Sequence, residues 1–288
     1  MCKSMCAEFL FRAIKNNCLQ EKKMKITKKI VAVLSALAVG CVAFALDGRT
    51  VMQNADNVAK PKFTRAQVQM ILIEKSGASE TRVIDEWGKN ENGLSTMVMQ
   101  FNSPASVKGT RFSQQENGGG KADTKFIFLP SLGTVRPVAA SEGSSSFMGS
   151  DATYDDMSTR EVDEDTHELL AETEAKGQFK NCAKVKSTPK DAKSSQYAYR
   201  ISWVDKDTWV PVYVEMYSKK SGKVCKTLEV KNLKVIKGYP TPLENEMTNL
   251  ETGHKTRLVM SEDRLKFDEP INPAYFSKGF LQNGKVAK

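Results

Sequence analysis

The side chains best suited to acid–base chemistry lie in one short acidic run. Asp151, Asp155 and Asp156 are close together in the sequence, and neighbouring carboxylates can transfer protons or bind calcium. Their order does not match the alternating ligands and the glycine of an EF-hand calcium loop. The run also fits a helix start, with Ser150 or Asp151 capping the first turn. We interpret it as a helix start and expect neither a metal ion nor a cofactor.

The chain contains two histidines, His167 and His254. His254 lies in the sequence TGHKT, where it could act as a base toward a serine or threonine, although no G-x-S-x-G elbow accompanies it. His167 lies in the acidic run 163–172. This run could bind a metal ion or be the solvated face of a helix, and we favour the helix face. A hydrolase that uses His254 with the loop of Asp151 and Asp156 is the weakest of three hypotheses, and no catalytic residue is assigned.

Four of the six cysteines precede residue 46. For the other two, Cys182 and Cys225, two alternatives stay open. They form a disulfide if the protein is exported to an oxidising compartment, or they are small buried thiols. Neither belongs to a C-x-x-C pair, so zinc or redox chemistry is not expected.

Residues 1–45 have the pattern of an N-terminal extension followed by an export signal. Met24 is a plausible start, because it precedes three lysines, the apolar run 30–39 and the cleavage pattern Ala-Phe-Ala at 43–45. The apolar run is shorter than the roughly 20 residues that a membrane span needs. Cys41 ends a loose lipobox (AVGC), so the alternatives are export as a soluble protein and anchoring through a lipidated Cys41.

The charge of the whole chain reflects this leader. The sequence has 43 Lys and Arg against 34 Asp and Glu, a formal net charge of +9, and residues 1–45 contain eight of the basic and two of the acidic residues. The remaining chain is therefore close to neutral, at +3. Its charge gives no reason to expect nucleic-acid binding.

The residues that could take part in chemistry must be positioned by a predominantly β domain, which we predict over residues 46–288. Residues 47–58 have the 3.6-residue apolar period of an amphipathic helix, which ends before Pro61. Period-two runs separated by turn-rich segments then predict consecutive antiparallel strands. A polar and acidic stretch at about 151–177, with a predicted acidic helix, interrupts these strands as an insertion. The tail, residues 272–281, predicts one short helix.

Several predicted strands are apolar on both faces, although a half-buried strand is normally apolar on one. Either the sheet lies between two covering layers, which the periodicity alone favours, or one face borders a cavity for an apolar ligand, to which flexible methionines are suited. The face assignments depend on register, because a one-residue slip reverses them. The candidate lining residues are Met97, Met99, Phe101, Phe126, Phe128, Trp209 and Tyr213.

Five segments of the sequence resemble one family of exported proteins. They are KGT at 108–110, FLPSLGTVR at 128–136, SFMGSDATYDDM at 146–157, WVPVYVEM at 209–216 and TGHKT at 252–256. With these segments the chain resembles the outer-membrane lipoprotein-sorting protein family, which is similar to the Lol-type periplasmic lipoprotein carriers. The most specific part of the motif contains Gly149, Ser150, Asp151, Tyr154 and Asp156.

The resemblance implies a mainly β (α+β) fold: an incomplete antiparallel β-barrel, or half-barrel meander, with helices covering its open concave face. It also implies an apolar cavity for acyl chains. We therefore expect a non-enzymatic periplasmic carrier that shields the acyl chains of lipoproteins or other lipids during sorting to the outer membrane. Its partners would be an inner-membrane release machinery or an outer-membrane acceptor. The alternative is a membrane-anchored receptor or structural lipoprotein, tethered through Cys41.

Overall fold

Helix α1 (Gly48–Asp56) is the first element of the computed structural model, which describes residues 46–286. It confirms the helix predicted from the apolar period. Asp47 caps the helix, because its carboxylate accepts a hydrogen bond from the backbone N–H of Thr50 at 2.6 Å. The apolar side of α1 packs through Val51, which is fully buried.

Most of the rest of the fold is one antiparallel sheet of fourteen strands. They are β1 (Phe63–Ile73), β2 (Ser79–Glu91), β3 (Leu94–Ser103), β4 (Arg111–Gln115), β5 (Thr124–Phe128), β6 (Val135–Pro137), β7 (Asp165–Lys176), β8 (Phe179–Pro189), β9 (Tyr197–Asp205), β10 (Pro211–Ser218), β11 (Val224–Ile236), β12 (Tyr239–Asn249), β13 (Lys255–Met260) and β14 (Lys266–Phe267). In spatial order, β6 to β1 are followed by β13 to β7, and β14 pairs with β1. In the described part of the chain β6 and β7 are the outer strands, so the sheet stays open. The predicted incomplete antiparallel barrel is confirmed.

Laterally paired residues lie on the same face of a sheet, so the two faces can be followed from strand to strand. The inner face, as we name it, carries Met99, Met247 and Val185. Helix α1 lies on this face over β7 and β8, where Val51 packs with Val185. An irregular segment, residues 147–157, covers much of the inner face of β1 to β5. One helix and one loop together therefore cover the inner face.

The outer face of β2 to β5 is covered by the C-terminal segment. Helix α2 (Lys278–Asn283) packs Phe280 against Trp87 and Val98. Arg111 fixes the end of this helix, because its guanidinium donates to the carbonyl of Leu281 at 2.6 Å. These strands are thus apolar on both faces because a layer covers each face, which is the explanation that the periodicity favoured.

The acidic run predicted as a helix is instead strand β7, so that prediction was wrong. Its Glu, Ala and Leu residues favour helices, but Asp165, His167 and Leu169 alternate with more exposed neighbours. Strand β8 supplies the hydrogen-bond partners over most of its length. Tertiary pairing overrides the local propensity, and charges on an edge strand oppose association with other sheets.

The tail confirms the helix predicted there, as a 3₁₀ turn (Pro273–Phe276) followed by α2. Neither α-helix in the described part of the chain is long and apolar enough to cross a membrane. The predicted export signal and Cys41 lie outside the described residues.

Candidate functional site

The most family-specific block of the sequence forms a turn-rich segment on the inner face, which we name the inner loop (residues 147–157). Met148 and Gly149 both have positive φ, +53° and +78°, in the left-handed region that suits glycine. The Ser150 hydroxyl donates to the carbonyl of Phe147 at 2.7 Å and closes the turn. The predicted helix start is therefore wrong: Ser150 bonds back to a carbonyl instead of capping the N–H groups that follow.

Aromatic side chains attach the inner loop to the sheet. Phe147 is fully buried. Its ring centroid lies 4.9 Å from that of Phe112 and 5.6 Å from that of Tyr154, with edge-to-face geometry in both pairs. Phe101, also fully buried, lies at 6.4 Å. Burying such a ring stabilises the closed arrangement by about 1.5–3 kcal/mol.

Asp151 joins the inner loop to β13 through a buried carboxylate. Its Oδ2 lies 2.7 Å from His254 Nδ1 and accepts a hydrogen bond from the Thr256 hydroxyl, also at 2.7 Å. The backbone N–H of Asp151 donates to the same hydroxyl at 2.9 Å. The GSD and TGHKT segments, far apart in the sequence, therefore meet in one contact.

A second acidic residue, Asp156, joins the inner loop to the neighbouring strands. Its carboxylate oxygens accept from the Tyr197 hydroxyl at 3.0 Å and from Gln196 Nε2 at 3.2 Å. Lys226 Nζ lies 3.3 Å away and donates to the carbonyl of Asp151 at 2.6 Å. Burial, and then the nearby Asp156 carboxylate, raise the pKa of Tyr197, so the phenol stays a donor.

Four backbone carbonyls of the inner loop accept hydrogen bonds from side chains of four different strands. The pairs are Arg82 with Met148, Gln114 with Met157 (2.8 Å), Lys125 with Tyr154 (2.6 Å) and Lys226 with Asp151 (2.6 Å). Burial lowers the pKa of Lys125, because the ammonium group loses hydration. The inner loop is therefore held by side chains of the sheet and adds no strand to it.

The contact between His254 and Asp151 orients an imidazole but lacks a nucleophile. In a catalytic triad the nucleophile bonds to the histidine nitrogen opposite the carboxylate. Here that nitrogen, Nε2, lies 3.9 Å from a Glu74 carboxylate oxygen, and the Thr256 hydroxyl donates to Asp151 instead. Within residues 46–286 no hydroxyl or thiol is hydrogen-bonded to Nε2. The arrangement can hold the inner loop in place.

The other histidine, His167, lies on β7. Its Nδ1 is 2.8 Å from the Ser187 hydroxyl, and its Nε2 is 2.8 Å from the carbonyl of Val162. Both ring nitrogens are therefore engaged within the fold.

The structure does not bring all the candidate lining residues together. Met97, Met99 and Phe101 lie on the inner face and pack in the cluster that contains Phe147 and Tyr154. In this arrangement the side chains of the inner loop occupy the space above them.

The other four candidates lie elsewhere. Phe126 and Phe128 are on the outer face, where Phe126 packs beside α2 and Arg111 lies 4.1 Å from the Phe128 ring centroid. Trp209 packs with the α1 cluster. Tyr213 lies edge-to-face against Trp203, at 5.4 Å between ring centroids, and borders a small cavity of about 220 Å³.

The alternative of a disulfide between Cys182 and Cys225 is not realised in the structure, where both are free thiols. Cys182 lies on β8 and Cys225 on β11, with β9 and β10 between them. Three strand spacings amount to roughly 14 Å, well beyond the Cα separation of about 7 Å that a disulfide can span.

A polar cleft of about 830 Å³ lies beside the inner loop. It lies between the end of α1, the turn that connects β4 and β5, and residues 138–143. Tyr154 and Val138, which belong to or pack against the inner-face cluster, also border it. Its other walls carry charged side chains, including Lys125, Arg160 and Arg200.

Sequence reasoning missed the basic side chains that hold the inner loop. Arg82, Lys125 and Lys226 lie on the inner face, in phase with apolar residues such as Ile127 and Leu228. A Lys or Arg at an inward position of a period-two strand could have indicated such a contact, because a buried cationic side chain needs a hydrogen-bond acceptor.

Comparisons with known proteins agree with this fold. A family model described as that of an uncharacterized protein matches residues 93–283, more than half of the chain. The structure of a DUF1329 family protein from Desulfovibrio piger is similar, with a TM-score of 0.75 and 26% identity, over 82% of this chain and 98% of that one. A structure described as an outer membrane lipoprotein-sorting protein domain, from Vibrio parahaemolyticus, has a TM-score of 0.74 and 28% identity, with the same coverage of 82% and 98%.

A third similar structure, a LolA superfamily protein from Nitrosomonas europaea, has a TM-score of 0.62 and 19% identity, over 82% of this chain and 100% of that one. At this identity the likeness concerns the fold. No curated protein matches the chain. The family resemblance inferred from the sequence motifs is confirmed.

Proposed function

The chain belongs to the DUF1329 family, whose model matches residues 93–283, and on this basis we propose that it carries acyl chains of lipoproteins or other lipids. Solved relatives of similar fold are described as lipoprotein-sorting and LolA superfamily proteins. In this proposal the protein is a non-enzymatic carrier of the periplasm, exported by the signal predicted in residues 1–45.

The observation that carries the proposal is the kind of cover on the inner face. Met99, Phe101 and Phe112 lie buried beneath a loop that is neither helix nor strand. Much of what holds this loop is side-chain hydrogen bonding, which water can replace once the loop lifts. An acyl chain can therefore take the place of Phe147 and Tyr154 while every strand pair stays intact.

The apolar contribution to such an exchange is favourable. Each buried methylene contributes about 0.8 kcal/mol, so about ten methylenes contribute about 8 kcal/mol. Exposing the two rings of Phe147 and Tyr154 costs about 3–6 kcal/mol. The loop thus lowers the affinity without abolishing it, and it can close again when an inner-membrane or outer-membrane partner removes the cargo.

A disulfide lock on the inner loop tests the exchange. The backbone nitrogen of Asp151 lies 2.9 Å from Thr256 Oγ1, so cysteines at these two positions are within reach of a disulfide. Asp151→Cys with Thr256→Cys, in a background with Cys182→Ala and Cys225→Ala, should bind a fluorescent diacylglycerol when reduced and lose binding when oxidised.

Thr256→Cys alone, in the same background, is the control and should respond to neither oxidant nor reductant. Equal binding by the oxidised and reduced double variant would show that the acyl chain does not replace the inner loop. Mass spectrometry of the mature N-terminus separates the anchored alternative, because an acylated Cys41 indicates a tethered lipoprotein and an unmodified Leu46 indicates a soluble carrier.

A further inference from the structure

At the polar cleft, one guanidinium nitrogen has no hydrogen-bond partner in the part of the chain that the structure describes. Arg200 is on β9, on the inner face beside Met216, and lines the cleft. Its guanidinium carbon lies 4.9 Å from the ring centroid of Tyr197. Its Nη1 is buried and has no hydrogen-bond acceptor among residues 46–286. The guanidinium therefore stacks on the Tyr197 ring, but its Nη1 group can still donate hydrogen bonds to a ligand.

The acidic groups nearest to Arg200 have other partners. Asp165 accepts from Arg160 through both carboxylate oxygens, at 2.6 to 3.3 Å. Asp156 accepts from Tyr197 and Gln196. Burial is the main influence that lowers the pKa of Arg200, yet a guanidinium stays charged in proteins. A buried donor without an acceptor is costly, and an anionic ligand at Nη1 would remove that cost.

The cleft has the size and the position for such a ligand. Its volume of about 830 Å³ lies in the range of ordinary ligand sites, roughly 300–1,000 Å³. Six basic and seven acidic residues line it, so its charge is nearly balanced, and it suits one anionic group held at Arg200 better than a polyanion. Tyr154 borders the cleft and also belongs to the inner-face cluster, so the cleft and the inner face adjoin.

We propose that Arg200 binds a phosphate group in this cleft, and that the phosphate is the head group of a lipid whose acyl chain lies on the inner face. A guanidinium fork matches phosphate oxygens in geometry and charge. The acyl part rests on the proposed carrier function, whereas the anion site itself does not. The cargo is then a phospholipid, with its head group in the cleft and its acyl chain on the adjoining inner face.

Three probes measured by titration calorimetry test the site: inorganic phosphate, a short-chain phosphatidic acid, and the diacylglycerol with the same chains. Arg200→Gln should weaken phosphatidic acid binding by about tenfold to a hundredfold, the loss expected for a hydrogen bond to a charged group, and leave diacylglycerol binding unchanged. Arg264→Gln, at an exposed arginine that forms an ion pair with Asp263, is the matched control and should change neither. Arg200→Lys keeps the charge and loses the fork, so it should weaken binding by about tenfold even where Arg200→Gln fails to fold.

Inorganic phosphate separates the two sources of the ligand. If Arg200→Gln weakens both phosphate-bearing probes, the site accepts free phosphate as well as a head group; if it weakens phosphatidic acid alone, the site is specific for the head group. The site is overturned if the wild type binds neither phosphate-bearing probe, or if both Arg200 variants bind them like the wild type. Phosphate binding through Arg200, with no binding of either lipid, would instead contradict the proposed carrier function and support the anion site.

Discussion

Removing the ring of Phe147 separates its two roles, in stability and in competition with the cargo. Phe147 is fully buried among Phe101, Phe112 and Tyr154, and a buried Phe→Ala change costs about 3–5 kcal/mol. If an acyl chain replaces this ring, a weaker inner loop competes less well. The affinity for lipid should then rise, with a ceiling of about 10²- to 4 × 10³-fold, since each 1.4 kcal/mol is a factor of ten.

Phe280→Ala is the matched control for this change. Phe280 is also buried and also packs edge-to-face on an aromatic ring, that of Trp87, but it lies on the outer face. Urea denaturation should show that both variants are destabilised. Titration with a fluorescent diacylglycerol should show tighter binding by Phe147→Ala alone. Unchanged or weaker binding by Phe147→Ala, or equal gains in both variants, would refute the competition between the inner loop and the cargo.

Three further changes have definite expectations. Burial raises the pKa of Glu86 to about 7 from its ordinary value of 4.5, so the folded protein is most stable where this carboxyl is protonated and loses stability as the pH rises from about 4.5 to about 7. Glu86→Gln should flatten this dependence, with denaturation midpoints that differ less between pH 5 and pH 8. Asp151→Asn weakens the contacts with β13, so amide exchange in the inner loop should accelerate by about tenfold or more, corresponding to about 1.5–3 kcal/mol. An unchanged exchange rate would count against the role of this contact. Arg111→Met removes the donor to the end of α2, so proteolysis near α2 should become faster while the inner-loop amides keep their exchange rates.

The sequence determined several elements with little help from tertiary structure. The apolar period and the Asp47 cap specify α1, and the turn-rich separators specify most of the meander. The motif segments also identified the two halves of one contact, since Asp151 and Thr256 are hydrogen-bonded in the folded protein. These features depend on interactions between residues near each other in the sequence, or on residue identities, and both can be read without a structure.

The prediction of β7 failed for a reason that lies outside its own residues. Glu, Ala and Leu satisfy a helix locally, and only the pairing with β8 makes the extended form better. The acidic inner loop misled in a similar way: Ser150 and Asp151 resemble helix caps, but the folded protein supplies His254 and Thr256 as partners for Asp151.

Which face of the sheet each apolar residue occupies was decided only by tertiary structure. Met99 and Phe126 are equally apolar in sequence, yet Met99 lies beneath the inner loop and Phe126 beneath the C-terminal segment. When both faces of a strand are covered, both sets of alternate residues are apolar. The sequence then does not show which set faces inward. The sequence could therefore specify most of the strands and the family, whereas the position of the covering loop and the environment of Arg200 depended on how distant segments pack together.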